Sequence, residues 1–236
     1  MGAVFKREFR SFFTSPVGYV VFAVLFAFSG YFFFLYNMYL GDTTLTYVYD
    51  GLFTIVLLLV LPILSMRLLS DDKRQRTDQA LLTAPTGLTG VVVGKFLAAL
   101  LVFAIGISIT LVYAVIIAFK VTPDWLVIIG NYLGMLLLGG TIIAIGTFIS
   151  SLTESQFIAA LGTFVVSFVL MMIDSLSSLF SSSTIVTSIV SFLSISTRYG
   201  HFTSGVIGYN DIIFFLSMQV LFLFLTVRIL DRRRWS

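Results

Sequence analysis

The chain has no cysteine. That excludes a disulfide framework, thiol catalysis and thiolate metal sites. Histidine occurs once, at His201, too few for a haem or zinc centre built on imidazole ligands. A nucleotide-binding phosphate loop is also missing. The segment 86–95, TGLTGVVVGK, holds glycines and a lysine, but the spacing is wrong and no serine or threonine follows Lys95. Charge is scarce, at 11% of 236 residues, against about a quarter in soluble domains. A chain this poor in charge has too little polar surface to cover a water-soluble fold.

What is present is apolar. Hydrophobic residues make up 58% of the sequence, and the mean hydropathy is +1.07. The few charges punctuate apolar runs and mark their ends. No charge falls between Arg10 and Asp42. Further runs lie between Asp50 and Arg67, Lys95 and Lys120, Asp124 and Glu154, Glu154 and Asp174, and Asp211 and Arg228. Each reads as a membrane span of roughly 20 residues, the second a short one. Pro62 is expected to kink the second. The run beginning at Val17 is too long for a signal-peptide core and has no small-residue cleavage site, so it reads as a retained first span. The stretch 184–195 has Ile185, Val186, Ile189, Val190, Phe192 and Leu193 at helical spacing between serines. It is too short to cross, so it reads as an amphipathic helix lying at the interface, with a seventh span as the alternative.

The bases set an expected orientation. Lys6, Arg7 and Arg10 precede the first span. Arg67, Lys73, Arg74, Arg76 and Lys95 surround the second connection, and Arg228, Arg232, Arg233 and Arg234 end the chain. The other connections carry few or none. The positive-inside rule then puts both termini and the 67–95 connection in the cytoplasm, a parity that six spans satisfy. Tyr31, Tyr36, Tyr39, Trp125, Tyr132 and Trp235 fall near span ends, where amphipathic aromatics settle. There is no solenoid repeat, and residues 1–236 read as a single all-α integral membrane domain.

Every charge falls at a span edge in this reading, which disfavours an ion-driven carrier or a pore lined by charged rings. Asn131 and Gln219 are the amides near span interiors, read as packing groups or as substrate contacts. Gly134, Gly139, Gly140 and Gly146 suit close helix packing. His201 has no acid close to it in sequence and reads as a surface histidine rather than a catalytic base. The charged connection is more informative. Asp71 and Asp72 suit a helix N-terminus, and Pro85 stops a helix. Between them Leu81 and Leu82 form a small apolar patch, while Lys73, Arg74, Arg76 and Asp78 are expected to stay wet. A solvated positive-inside loop explains the bases. A short helix that docks a cytosolic partner also explains the acids, the leucine pair and the proline.

These residues carry a family resemblance. Arg76, then Thr77-Asp78-Gln79-Ala80-Leu81-Leu82-Thr83-Ala84-Pro85, then Gly94-Lys95, resembles the corresponding loop of ABC transporter permeases of the type-2 export class. That class has arginine, two residues, Gly-Thr-Glu, one residue, Leu-Leu, a small residue with Pro, and later Gly-Lys. Here the glycine is missing and Asp78 stands for the glutamate. The start, FKREFRSFFTSPVGYV, is similar to the amphipathic N-terminal helix and Ser-Pro of the same class. With HFTSGVIGYNDIIFFLS before the last span, the closest subgroup is the gliding-motility-associated permease type, and the likeness runs over essentially the whole chain.

The resemblance implies six transmembrane helices, a cytoplasmic N-terminal helix, a coupling helix near 71–85 and an extracytoplasmic helical hairpin around 174–211. It implies the permease subunit of an ATP-driven exporter in a bacterial inner membrane, not itself an enzyme. Two copies, or one copy and a related permease, would each bind a cytosolic ATP-binding subunit that uses ATP and Mg. This chain would hold no cofactor and bind no nucleic acid. Arg76, Thr77, Asp78, Leu81, Leu82 and Pro85 would meet the ATPase, and Lys6, Arg7, Glu8 and Arg10 would face the same surface or anionic lipid. A membrane scaffold that transmits force without moving a solute, and a polytopic enzyme using His201, are the competing readings.

Overall fold

The computed structural model describes residues 2–75, 87–179, 194–206 and 208–234, and side chains for these except 174–179 and 233–234. The described residues form helices and no strand. Six of the helical stretches are long and apolar enough to cross a membrane: Pro16–Tyr39, Thr46–Arg74, Leu88–Ala118, Trp125–Leu152, Gln156–Ile173 and Tyr209–Arg232. We call them spans one to six. Span two is not the short segment its flanking charges suggest. It runs for 29 residues, because the helix continues through Asp50 at one end, and at the other a turn over 66–69 leads on into a further short helix. Most of the interfacial helix expected over 184–195 lies outside the described residues. Its last two residues, Ser194 and Ile195, are buried in the bundle.

Local chemistry sets the helix ends. Helix α1 (Gly2–Thr14) stops at Ser15, and α2 (Pro16–Phe32) begins with Pro16 in its first turn, where the missing N–H is no loss. The elbow between them is tight. A side chain at Gly18 would meet the Phe12 carbonyl oxygen at 2.1 Å. Span two comprises α3 (Thr46–Ile55), a π-helical stretch Val56–Val60, α4 (Leu61–Ser65) and the short α5 (Ser70–Arg74). The wide turn stands directly before Pro62, which has no N–H for the helical ladder. Span three divides into α6 (Leu88–Ile107) and α7 (Ile109–Ala118). At the break the Ser108 hydroxyl and the Tyr132 hydroxyl both donate to the Ala104 carbonyl, at 2.7 and 3.2 Å. Tyr132 therefore ties span four to the break in span three.

Span four is α8 (Trp125–Leu152), capped by Asp124, whose carboxylate accepts from the Leu126 and Val127 amides. It is the centre of the bundle: 61% of its apolar window is buried, against 17–28% for spans one, five and six. Its glycines make that position possible. A side chain at Gly139 would stand 2.2 Å from the Phe103 ring, and one at Gly146 would stand 2.1 Å from Ser65 Oγ. Gly140 makes room for Gln219, whose Nε2 donates to the Leu137 carbonyl. Asn131 Nδ2 donates to the Val127 carbonyl of its own helix. Both amides thus make hydrogen bonds to span-four carbonyls. Helix α9 (Gln156–Leu179) follows, then α10 (Ile195–Thr203), then α11 (Tyr209–Arg234).

Helix α10 runs back against α8. Gly205 faces Val127 and Phe202 faces Gly134, so the Ser194 end of α10 lies deeper in the bundle than its Gly205 end. Tyr199 stacks on Phe53 of α3 with ring centroids 5.0 Å apart. Burial pushes the Tyr199 hydroxyl well above the usual tyrosine range. The bundle therefore has a basic end, carrying α1, α5 and the start of α6, and an opposite end closed in part by α10.

The small-residue contacts of α8 give a direct test. Gly139→Ile should destabilise the protein by roughly 1–3 kcal/mol, the usual range for overpacking a filled core. Gly2→Ile should leave stability unchanged, because nothing stands within 4 Å of a side chain there. Thermal unfolding in detergent micelles measures both.

Candidate functional site

The densest polar constellation among the described residues lies at the basic end. It is built from elements far apart in sequence. Lys95 sits two turns into α6, and only 2% of its side chain is exposed. A buried ammonium needs partners, and two carboxylates supply them. Glu8 Oε1 of α1 stands 3.0 Å from Lys95 Nζ, and Asp72 Oδ2 of α5 stands 2.9 Å from it. Arg7 adds a second cation to Glu8 at 2.7 Å. Burial alone would raise the Glu8 carboxyl, but the charge of Lys95 and the hydrogen bonds from Arg7 and Lys95 hold it below the usual range. Its hydrogen bond to Glu8 holds Arg7 above the usual arginine value.

A second set of contacts ties α5 to its surroundings. Arg67 reaches back to Ser11 Oγ at 2.5 Å and to Ser15 Oγ, with its guanidinium 5.0 Å from the centre of the Phe12 ring. The same arginine lies 3.9 Å from Asp71. Asp71 also accepts from the Gln156 side-chain amide at the start of α9, and Lys73 Nζ donates to the Ser151 carbonyl at the end of α8. The amides of Leu69 and Ser70 donate to Ser150 Oγ at 3.0 and 2.9 Å. Three groups at the root of the charged connection, Asp71, Asp72 and Lys73, therefore bond three different helices.

This corrects two expectations. Lys73 does not stay wet. It is 6% exposed, because α5 turns it toward the end of α8. Nor does every charge fall at a span edge: α6 begins at Leu88, so Lys95 lies inside a helix. Arg74 is exposed, as expected. Asp71 and Asp72 do occupy the first turn of a helix, but α5 ends at Arg74 with Gln75 as its cap. Arg76, Thr77, Asp78, Leu81, Leu82 and Pro85 lie outside the described residues.

The N-terminal residues divide between the two faces of α1. Glu8 turns inward to Lys95. Lys6 and Arg10 are exposed, and with Arg7 they border a shallow basin that also includes Ser11 and Thr14. One face of α1 thus belongs to the clamp, and the other presents three bases.

The opposite end holds a smaller cluster. Asp211, in the first turn of α11, accepts from Arg198 Nη1 at 2.8 Å and pairs with His201 Nδ1 at 2.9 Å. The acid that sequence proximity did not offer His201 comes from ten residues further on, where α11 folds back beside α10. Among the described residues no hydroxyl bonds His201, so the pair is a histidine–carboxylate dyad without a nucleophile on it. The signal for this contact was the HFTSGVIGYND turn itself, with Gly205 at φ +75° allowing the reversal. Likewise, the Gly94-Lys95 step marked the start of a span, but nothing in it announced that Lys95 would be buried.

No known protein-family model matches the chain, and no curated protein matches it.

Two outcomes follow from the clamp. Lys95→Met leaves two carboxylates facing each other in a dry site and should lower stability by roughly 3–5 kcal/mol. Adding Glu8→Gln and Asp72→Asn should recover much of that loss, as a multiple-mutant cycle by thermal unfolding will show. Glu8, with its pKa lowered by folding, stabilises the folded state fully at pH above its unfolded value of about 4.3. The contribution is lost as pH falls through the lower folded value. The stability difference between wild type and Glu8→Gln should accordingly be constant from about pH 7 to 5 and vanish in stronger acid.

Proposed function

We propose that this chain is the transmembrane permease subunit of an ATP-driven ABC exporter, worked by a cytosolic ATP-binding subunit through the 71–85 connection. The observation that carries the reading is the three-way tie at the root of that connection. Asp72 bonds Lys95 of span three, and Lys95 bonds Glu8 of α1. Asp71 and Lys73 bond the junction of spans four and five. A push on residues 76–85 meets no slack at this point, because each of the first three residues of the connection is fastened to a different part of the bundle. Firm attachment of this kind is what a mechanical coupling requires.

In this reading the basic end faces the cytoplasm of a bacterial inner membrane, in keeping with the positive-inside rule. Leu81 and Leu82 supply buried area to the ATPase, while Arg76, Thr77 and Asp78 fix its register. Pro85, a helix-stopping residue, would close the docking segment. The outward bases Lys6, Arg7 and Arg10 meet the same subunit or anionic lipid. ATP and Mg belong to the partner, and a second permease copy or a related permease completes the transporter. The competing scaffold reading shares the ATPase contact and differs in moving no solute.

Co-purification tests the docking. Leu82→Arg and Asp78→Arg should each abolish capture of the cognate ATPase while membrane insertion persists. Retained capture in both variants would sink the coupling role. ATP hydrolysis in liposomes that rises with an added solute separates exporter from scaffold.

A further inference from the structure

Helix α1 carries an aromatic row beside its bases. Phe5, Phe9 and Phe13 are spaced four apart, and successive rings are in contact, with centroids 6.0 and 5.1 Å apart. The row does not end with α1. The elbow at Pro16 brings Phe13 to Phe22 of span one at 5.7 Å, and Phe22 leads on to Phe26 at 5.8 Å. The row surfaces at Phe13 and Phe26, which are 36% and 44% exposed. Phe26 lies well within span one, at a depth where the solvent is hydrocarbon.

The charges of α1 leave two bases over. Glu8 is the one acid of the helix, and it is turned in to Lys95. In formal charge Lys95 and Arg7 balance Glu8 and Asp72, the two carboxylates of the clamp. Lys6 and Arg10 have no counter-charge. Both are exposed, and neither side chain makes a hydrogen bond or ion pair among the described residues. They stand one turn apart on the helix, each one position after a phenylalanine of the row. The basin that they border with Arg7 and Thr14 measures about 490 Å³. Long basic side chains lay their stems along apolar surface and carry the charge to its edge. A water-soluble partner would cover the bases and not the ring row. One phospholipid with a net negative charge meets both.

We propose that the outer face of α1 is a binding site for an anionic phospholipid, with the phosphate between Lys6 and Arg10 and an acyl chain along the Phe9–Phe13–Phe22–Phe26 row. This takes the lipid side of the two partners proposed above for these bases. It rests on the membrane reading of the chain and on none of the ATPase contacts. An amphipathic helix with bases on one face and large apolar side chains beside them is the kind that lies at a headgroup boundary.

Tryptophan fluorescence of the full chain in liposomes tests this without an ATPase. Trp125→Phe and Trp235→Phe remove the native tryptophans, and Phe13→Trp places one reporter in the row. Liposomes of dioleoylphosphatidylcholine receive a minor fraction of a lipid brominated near the glycerol end of its acyl chains, with a phosphatidylglycerol or a phosphatidylcholine headgroup. Brominated phosphatidylglycerol should quench the reporter more than brominated phosphatidylcholine does at the same fraction. Lys6→Gln and Arg10→Gln should each lower that preference roughly fivefold, the usual effect of one basic residue at an anionic surface. The charge-keeping exchange of Lys6→Arg with Arg10→Lys should preserve it. Equal quenching by the two lipids, or a preference unchanged in Lys6→Gln/Arg10→Gln, would overturn the proposal. Relief of the quenching by millimolar glycerol phosphate would overturn it too, by assigning the face to a free anion. Loss of ATPase capture in Lys6→Gln/Arg10→Gln, with no lipid preference in the parent chain, would assign the face to the cytosolic subunit instead. Because the liposomes hold no ATPase, failure here leaves the Leu82→Arg and Asp78→Arg tests intact, and failure of those leaves this one intact.

Discussion

A lysine ammonium withdrawn from water must be matched by negative charge. Most of the basic end is arranged around that requirement at Lys95. One of its acids comes from α1 and the other from α5, and Lys95 and Glu8 are 87 positions apart in the sequence. The rest of the clamp is consistent with it. Arg7 steadies Glu8, and Arg67 pins the α1–α2 elbow while also approaching Asp71. Continuum arguments give little net stability to a buried ion pair compared with an apolar substitute. What such a pair does secure is geometry, since the unpaired alternatives are costly. At Lys95 the secured geometry is the relation of an amphipathic helix and a charged connection to the same span.

Much of the fold was legible in the sequence because lipid simplifies the problem. Backbone groups in hydrocarbon must be satisfied within the helix, so the charge-free runs mapped onto the spans. The span ends were less legible. Asp50, Arg67 and Lys95 were read as boundaries, yet helix continues past Asp50 and surrounds Lys95, and only Arg67 falls where a helix gives way to a turn. A charge at the end of an apolar run limits hydropathy but does not stop a helix that has a partner for it. The Ser-Pro before span one, the aspartates opening α5 and the packing glycines of α8 were visible because each follows from local chemistry. The Lys73–Ser151, Lys95–Glu8 and His201–Asp211 contacts were not, since they depend on which helices become neighbours.

The two charged clusters also differ in kind. At the basic end, charges from α1, α5 and α6 join elements that are otherwise held by apolar packing. At the opposite end, Arg198, His201 and Asp211 come from two successive helices and close a local turn. The first cluster suits the proposed transmission of movement between a cytosolic subunit and the bundle. The second holds α10 to the head of span six.

Helix α10 carries a further consequence. It stands between spans two and four with Tyr199 on Phe53 and Phe202 on Gly134, and Arg198, next to Tyr199, fastens it to span six through Asp211. It therefore acts as a keystone rather than a lid. A passage opened between spans two and four at this end requires α10 to be withdrawn, and withdrawing it drags the head of span six along. Any conformational cycle of this protein must move α10 and α11 as one body or break the bonds that Arg198 and His201 both make to Asp211.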